Sequence, residues 1–188
     1  MLLLDAKDWQ DLHGMIDDDG LLDALASRSS HNVLSDGSIQ IDPARESDWK
    51  DLVTVAFTYK IAAEIGSLGD NVSYLRHQIK TDPIFQRAVT FTPVNYTISS
   101  HTRWASVGAI TESNCHPVDN IPQENNLAAS GIIHACLNGD IDNYLEIKKE
   151  LQKTGIVIQD DISTDTKIIP LQIQKYLQEG APVAEAFR

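Results

Sequence analysis

The chain has 188 residues, of which 42% are hydrophobic, and this length is sufficient for one domain with a buried core. Its 15 basic and 27 acidic residues give a net charge of -12, and so acidic a surface repels nucleic-acid phosphates and anionic lipid headgroups. Nucleic acid and membrane surfaces are therefore poor candidates as partners.

Two features of the sequence favour a reducing compartment. The only two cysteines, Cys115 and Cys136, are too few for the disulfide framework of a small secreted fold. Asp5 interrupts the opening apolar run well before signal-peptide length, and no segment approaches the roughly 18 to 20 apolar residues that span a bilayer. We therefore expect a cytoplasmic protein.

The first 70 residues carry no motif that we can place, and we expect helices and loops there, with a family insertion as one interpretation. Turn-forming residues dominate positions 1–50, with a short helix predicted at 21–26 and a short strand at 38–41. The apolar residues that follow lie on a broad helical face, which predicts a long helix over 49–65.

The second region, 71–188, alternates strands with helices, a pattern typical of α/β or α+β folds. A helix over 70–80 should end at Asp82, because a residue before proline disfavours the α conformation. The other predicted elements are a strand at 89–100 that is interrupted at Pro93, a buried strand at 131–137 that contains Cys136, a helix at 143–153 capped by Asp142, a strand at 156–158, and a final helix capped by Thr164 that starts late or kinks at Pro170.

Three places in the sequence are candidates for chemistry. Arg103 offers a donor fork that fits a carboxylate, although an arginine in a polar loop is more often a surface charge. Asn138 and Gly139 could donate to an oxyanion, although Asn-Gly alone favours a hairpin turn. Asp165 lies at the start of the last helix, where its local context favours complementing the helix dipole.

Four ordered motifs resolve these alternatives. The chain reads HTRWA at 101–105, NCHP at 114–117, NGDIDNY at 138–144 and TDT at 164–166. In this order the motifs resemble those of the class II glutamine amidotransferase domains, which are N-terminal-nucleophile hydrolases. The resemblance implies a partial four-layer αββα sandwich, with mixed or antiparallel sheets and flanking helices. It also implies hydrolysis of glutamine, with transfer of the ammonia to a sugar phosphate.

The same resemblance implies a role for each site residue. Arg103 would bind the α-carboxylate of glutamine and Asp165 its α-ammonium group. The oxyanion hole would consist of the Asn138 side chain and the Gly139 N–H group. The pocket would be lined by Trp104 and by Ser106, which replaces the threonine of the family pattern. The resemblance implies no cofactor and no metal.

Several positions depart from the family pattern. The family's nucleophile is an N-terminal cysteine, and neither Cys115 nor Cys136 corresponds to it. Val107 and Leu137 each replace a histidine. We therefore expect a fragment that is inactive alone, with a non-catalytic glutamine-binding or regulatory domain as the alternative. An incomplete sandwich would also expose a sheet edge, which could pair with a second copy in a homodimer.

Overall fold

A computed structural model describes residues 1–18, 38–42, 52–62, 66–67, 69–102, 109–120 and 133–188. The chain divides into two compact units, Met1–Ser99 and Ser100–Arg188. The helix predicted at 21–26 lies outside the described residues. Within the described ranges, no helix is long and apolar enough to cross a membrane.

The first unit contains a four-stranded antiparallel sheet with the strand order β2-β3-β1-β4. Its first strand pairs with two neighbours, so that Leu2 lies opposite Val55 on one side and Tyr96 on the other. The strands are β1 (Leu2–Asp5), β2 (Ser38–Asp42), β3 (Leu52–Thr58) and β4 (Asn95–Tyr96). The strand predicted at 38–41 is thus confirmed.

The helix predicted at 49–65 is wrong, because β3 occupies 52–58. Val55 and Ala56 point to opposite faces of the sheet, yet they are only 1% and 0% exposed. A strand covered on both faces reads as a continuous apolar run, which periodicity alone cannot distinguish from a buried helix. β3 also lies between β1 and β2, so its backbone pairs along both edges.

In the described part of this unit, three helices accompany the sheet: α1 (Ala6–Asp18), α2 (Asp70–Thr81) and α3 (Pro83–Ala88). The helix predicted at 70–80 is confirmed as α2. Buried Asp82 separates α2 from α3, and its carboxylate accepts hydrogen bonds from the N–H groups of Ile84 and Phe85 at 2.9 and 3.0 Å. The core of this unit consists of Leu4, Leu12, Val55, Ile84 and Ala88.

The long strand predicted at 89–100 is mostly wrong. Val89 continues the last turn of α3 through a hydrogen bond from its N–H group to the Phe85 carbonyl. Extended pairing is limited to the part that faces β1, where the N–H groups of Val94 and Thr97 donate to the carbonyls of Leu3 and Met1. The β-branched composition overstated the strand because its length depends on the partner strand.

The second unit combines a two-stranded antiparallel sheet with three helices in its described part. The core consists of Leu151, Ile158, Ile162, Ile168 and Leu171. The regular elements are β5 (Val118–Asp119), β6 (His134–Ala135), α4 (Tyr144–Lys153), α5 (Ile168–Gln178) and α6 (Val183–Ala186), with short 3-10 turns at Glu112–Asn114 and Asp165–Lys167.

The two predicted strands of this unit are shorter than expected or absent. Of the strand predicted at 131–137, only His134–Ala135 is a strand within the described residues. No strand forms at 156–158. Instead, the Ile156 N–H group donates to the Leu151 carbonyl at the end of α4, so it is not available to a strand ladder.

The helices of this unit follow the predictions more closely. The helix at 143–153 is confirmed as α4, but it begins after Asn143, so the predicted Asp142 cap is wrong. The Thr164 hydroxyl likewise makes no capping hydrogen bond. The predicted late start at Pro170 is correct, since α5 begins at Ile168 and the proline lies in its first turn, where an N–H group has no intrahelical partner.

The mixture of helices with antiparallel sheets confirms the general fold class within the described residues. The partial four-layer αββα sandwich stays a prediction.

Candidate functional site

The described candidate residues, Asn138, Gly139 and Asp165, all lie in the second unit. The other three, Arg103, Trp104 and Ser106, fall outside the described residues, as does Val107. The described part of the site therefore contains the residues predicted to form the oxyanion hole and the carboxylate predicted to bind the α-ammonium group.

The Asp165 carboxylate lies at the start of the 3-10 turn before α5 and is only 4% exposed. Its Oδ2 atom accepts a hydrogen bond from the Ile141 N–H group at 2.8 Å. Its Oδ1 atom is 3.3 Å from the Thr166 hydroxyl, which donates to it. This carboxylate thus joins the TDT motif to the NGDIDNY motif across 24 positions of sequence.

Asn138 and Gly139 follow β6 and are both exposed. A methyl group added at Gly139 would meet only the Leu137 Cδ1 atom, at 3.9 Å. The peptide is thus not crowded by described side chains. The Asn138 side chain and the Gly139 N–H group, which can donate to a ligand, therefore lie three and two residues before Ile141. The Ile141 N–H group is in turn hydrogen-bonded to the Asp165 carboxylate.

Asn114, from the NCHP motif, is fully buried and supports the segment that leads into Asp165. Its Nδ2 atom donates to the Thr111 hydroxyl at 2.8 Å and to the Asp161 carbonyl at 3.1 Å. Its Oδ1 atom accepts from the N–H groups of Ser163 and Thr164 at 2.8 and 2.9 Å.

His116, from the same motif, contacts the other side of the site. It is only 8% exposed, and its Nδ1 atom accepts a hydrogen bond from the Leu137 N–H group at 3.4 Å. The His116 ring also lies against that of His101, with the centroids 4.5 Å apart. His101 begins the HTRWA motif, so all four motifs contribute residues to one connected region of the second unit.

Sequence reasoning missed Asn114, His116 and Ile141 as parts of this site. A polar residue that is destined for full burial must satisfy its hydrogen bonds, but burial is not visible in a loop-like sequence. The one available signal was the position of Asn114 and His116 inside a recognised motif.

The two cysteines differ in exposure, and a buried strand environment was predicted for Cys136 alone. Cys136 is exposed, which contradicts the prediction that it packs inside a buried strand. The reason is that β6 ends at Ala135, so the chain has already left the sheet. Cys115 is half-buried.

Comparison with known proteins agrees with the motifs. The chain is 40% identical over 93 residues to a glutamine--fructose-6-phosphate aminotransferase [isomerizing] of Sulfolobus acidocaldarius. It is similar to this group of aminotransferases. Proteins of the same name from Methanothermobacter thermautotrophicus and Xylella fastidiosa are 39% identical over 87 residues and 32% identical over 117 residues. The resemblance predicted from the motifs is thereby confirmed.

These similarities are partial. The aligned stretch covers 50% of this chain and 14% of the Sulfolobus protein, 46% and 13% in the Methanothermobacter comparison, and 61% and 17% in the Xylella comparison. No protein-family model matches the chain, and no solved structure matches it. The chain therefore spans less than a fifth of the length of these relatives.

Proposed function

We propose that the second unit binds L-glutamine as part of the glutaminase domain of a glucosamine-6-phosphate synthase-like aminotransferase. The observation that supports this most directly is the hydrogen bond from the Ile141 N–H group to the Asp165 carboxylate. It holds a buried carboxylate against the backbone two residues after Gly139, which supports a site for the α-ammonium end and the reacting amide of one substrate.

In this proposal each end of the zwitterion meets an opposite charge. The Asp165 carboxylate binds the α-ammonium group, and the Arg103 guanidinium binds the α-carboxylate in a bidentate manner. Trp104 and Ser106 line the pocket. A charge-assisted pair of this kind is shielded from solvent at Asp165, which is only 4% exposed.

The amide end of glutamine would be the reacting group. In the family pattern, an N-terminal cysteine thiolate attacks the amide carbonyl and forms a tetrahedral oxyanion, which the Asn138 side chain and the Gly139 N–H group would stabilise. Collapse of that intermediate breaks the C–N bond, releases the protonated nitrogen as ammonia and leaves a glutamyl thioester, which water hydrolyses to glutamate and the free thiol. In the proposed whole protein, which we expect to be cytoplasmic, the ammonia passes to a sugar phosphate on an acceptor domain.

We further propose that these 188 residues alone do not hydrolyse glutamine, because neither Cys115 nor Cys136 lies where the family carries its nucleophile. A second candidate function is therefore glutamine binding without catalysis, in a regulatory role. It is favoured by Leu137, an apolar residue beside Asn138 where the family has histidine. The domain proposed for either function is 71–188.

Calorimetry with L-glutamine tests the binding proposal. The 188-residue chain should bind it, and Arg103→Ala should weaken binding by roughly 2 to 4 kcal/mol, or about 30-fold or more, because the substrate carboxylate loses its charged partner. Arg76→Ala is a matched control, since Arg76 is exposed on α2 in the first unit.

Absence of binding heat at millimolar glutamine in the unmodified chain would contradict the proposal. An assay for released ammonia then separates the two functions. Ammonia release by the 188-residue chain would contradict its proposed inactivity, whereas binding without release would agree with it.

A further inference from the structure

We infer that Asn114 is a positioning residue for the Asp165 carboxylate, and that it thereby sets the affinity of the site for the α-ammonium group of the substrate. This inference rests on the proposed function for its ligand. Its structural basis is a connected path of hydrogen bonds and peptide bonds that runs from Asn114 through Thr164 to Asp165 and on to Ile141.

The first step of this path uses the full hydrogen-bonding capacity of the Asn114 side chain. A side-chain amide offers two N–H donors and two acceptor lone pairs. The donors go to Thr111 and to the Asp161 carbonyl, and the acceptor receives the N–H groups of Ser163 and Thr164, all between 2.8 and 3.1 Å. One side chain therefore fixes three successive points of the 161–164 backbone.

The second step is the passage from this backbone to the carboxylate. Thr164 is the residue directly before Asp165, so its anchored N–H group fixes the peptide from which the 3-10 turn Asp165–Lys167 begins. The carboxylate at the end of this fixed segment reaches the Ile141 N–H group at 2.8 Å. A shift of the backbone at Thr164 would move the carboxylate relative to the Asn138-Gly139 segment.

Burial makes this arrangement hard to replace. Asn114 is 0% exposed, and Thr164 and Asp165 are each 4% exposed. Water cannot readily take over a hydrogen bond lost at such depth, so a change at Asn114 must be accommodated by movement of the 161–164 segment. The expected consequence is a misplaced carboxylate rather than a locally repaired contact.

The substitution Asn114→Asp tests the inference with almost no change in side-chain shape. It keeps an oxygen for Ser163 and Thr164 but replaces the Nδ2 donor with an oxygen that faces the Asp161 carbonyl. We expect the affinity of the 188-residue chain for L-glutamine, measured by calorimetry, to fall about tenfold, as the loss of a well-placed charged contact predicts.

The discriminating ligand is 5-amino-5-oxopentanoic acid, which is glutamine without its α-amine. Its affinity should change less than twofold in the same variant, because it has no group for Asp165 to bind. An equal loss for both ligands would overturn the inference and leave Asn114 as a purely structural clamp. Asn95→Asp is the matched control, because Asn95 is exposed in the first unit and the change in charge is the same.

Amide hydrogen exchange supplies a readout that needs no ligand. Asn114→Asp should accelerate exchange at Ile141 as well as at Ser163 and Thr164, since the Ile141 N–H group depends on the position of Asp165. Unchanged exchange at Ile141 would overturn the inference. If the unmodified chain binds no glutamine, the proposed function fails, and the exchange at Ile141 still decides the positioning role.

A second variant covers the case in which Asn114→Asp does not fold. Thr111→Val removes only the hydroxyl that accepts from Asn114 Nδ2, at an exposed residue. We expect a smaller selective loss of affinity, about two- to threefold for L-glutamine and none for 5-amino-5-oxopentanoic acid. The loss is small because one neutral hydrogen bond contributes little net free energy. An unchanged ratio of the two affinities in a folded Thr111→Val chain would overturn the inference.

Discussion

At the scale of single residues, Asp165 is the candidate whose contacts in the structure differ most from the role that its local sequence favours. Its local sequence alone favours a charge that complements the dipole of the last helix. In the structure its carboxylate is buried and accepts an N–H group from Ile141, in a distant segment. A carboxylate that is held by a remote backbone group has a fixed position, which a charge serving only the helix dipole would not need.

The substitution Asp165→Asn tests the charge without removing the acceptor. The amide oxygen can still accept from Ile141, but the attraction to an α-ammonium group is lost. We expect the affinity for L-glutamine to fall by roughly tenfold or more, in a calorimetric titration of the folded chain. Asp142→Asn is the control, because Asp142 is exposed near the same segment and does not cap α4. Unchanged affinity in Asp165→Asn would remove this carboxylate from the ligand site.

At the scale of elements, α4 shows how one apolar stripe is divided by packing. Leu151 is 0% exposed and belongs to the core of the second unit, whereas Leu145 on the same helix is 55% exposed. Both residues lie within the helix predicted at 143–153. The energetic contribution of the helix should therefore be concentrated at Leu151.

Truncation of these two leucines should give very different results. Leu151→Ala creates a cavity in the core and should lower the free energy of unfolding by about 2 to 5 kcal/mol, as measured by urea denaturation. Leu145→Ala removes the same atoms from an exposed position and should change it by about 0.5 kcal/mol or less. Similar values for the two variants would show that α4 does not pack as described.

At the scale of the whole molecule, the chain consists of two compact units, and each has its own core. The structural division follows Ser99, whereas the family resemblance alone led us to place the domain boundary at residue 70. The two divisions rest on different criteria, since one follows contacts and the other follows recognised motifs. All four motifs fall within the second unit.

This organisation predicts that residues 100–188 fold without the first unit. Their core of Leu151, Ile158, Ile162, Ile168 and Leu171 comes entirely from this part of the chain. A protein of these 89 residues should show a cooperative thermal transition by circular dichroism and should keep the glutamine affinity of the full chain. A non-cooperative transition would mean that the second unit depends on the first.

The sequence by itself determined the family resemblance, the helices α2 and α4, the strand β2 and the chemical types of the candidate ligand groups. These features depend on local residue order, on turn and proline chemistry, and on motifs that are read directly. The proline in α5 was also understood correctly, because its lack of an N–H group is a local property.

Only the tertiary structure decided which residues meet. Whether 52–58 is a helix or a strand depends on the neighbours β1 and β2, since an apolar run fits either one. The hydrogen bonds of the buried Asn114 side chain reach residues 47 to 50 positions away, and the hydrogen bond between Ile141 and Asp165 spans 24 positions. No local sequence pattern encodes contacts at such separations. The motifs therefore identify the candidate site, whereas long-range hydrogen bonds bring its segments together.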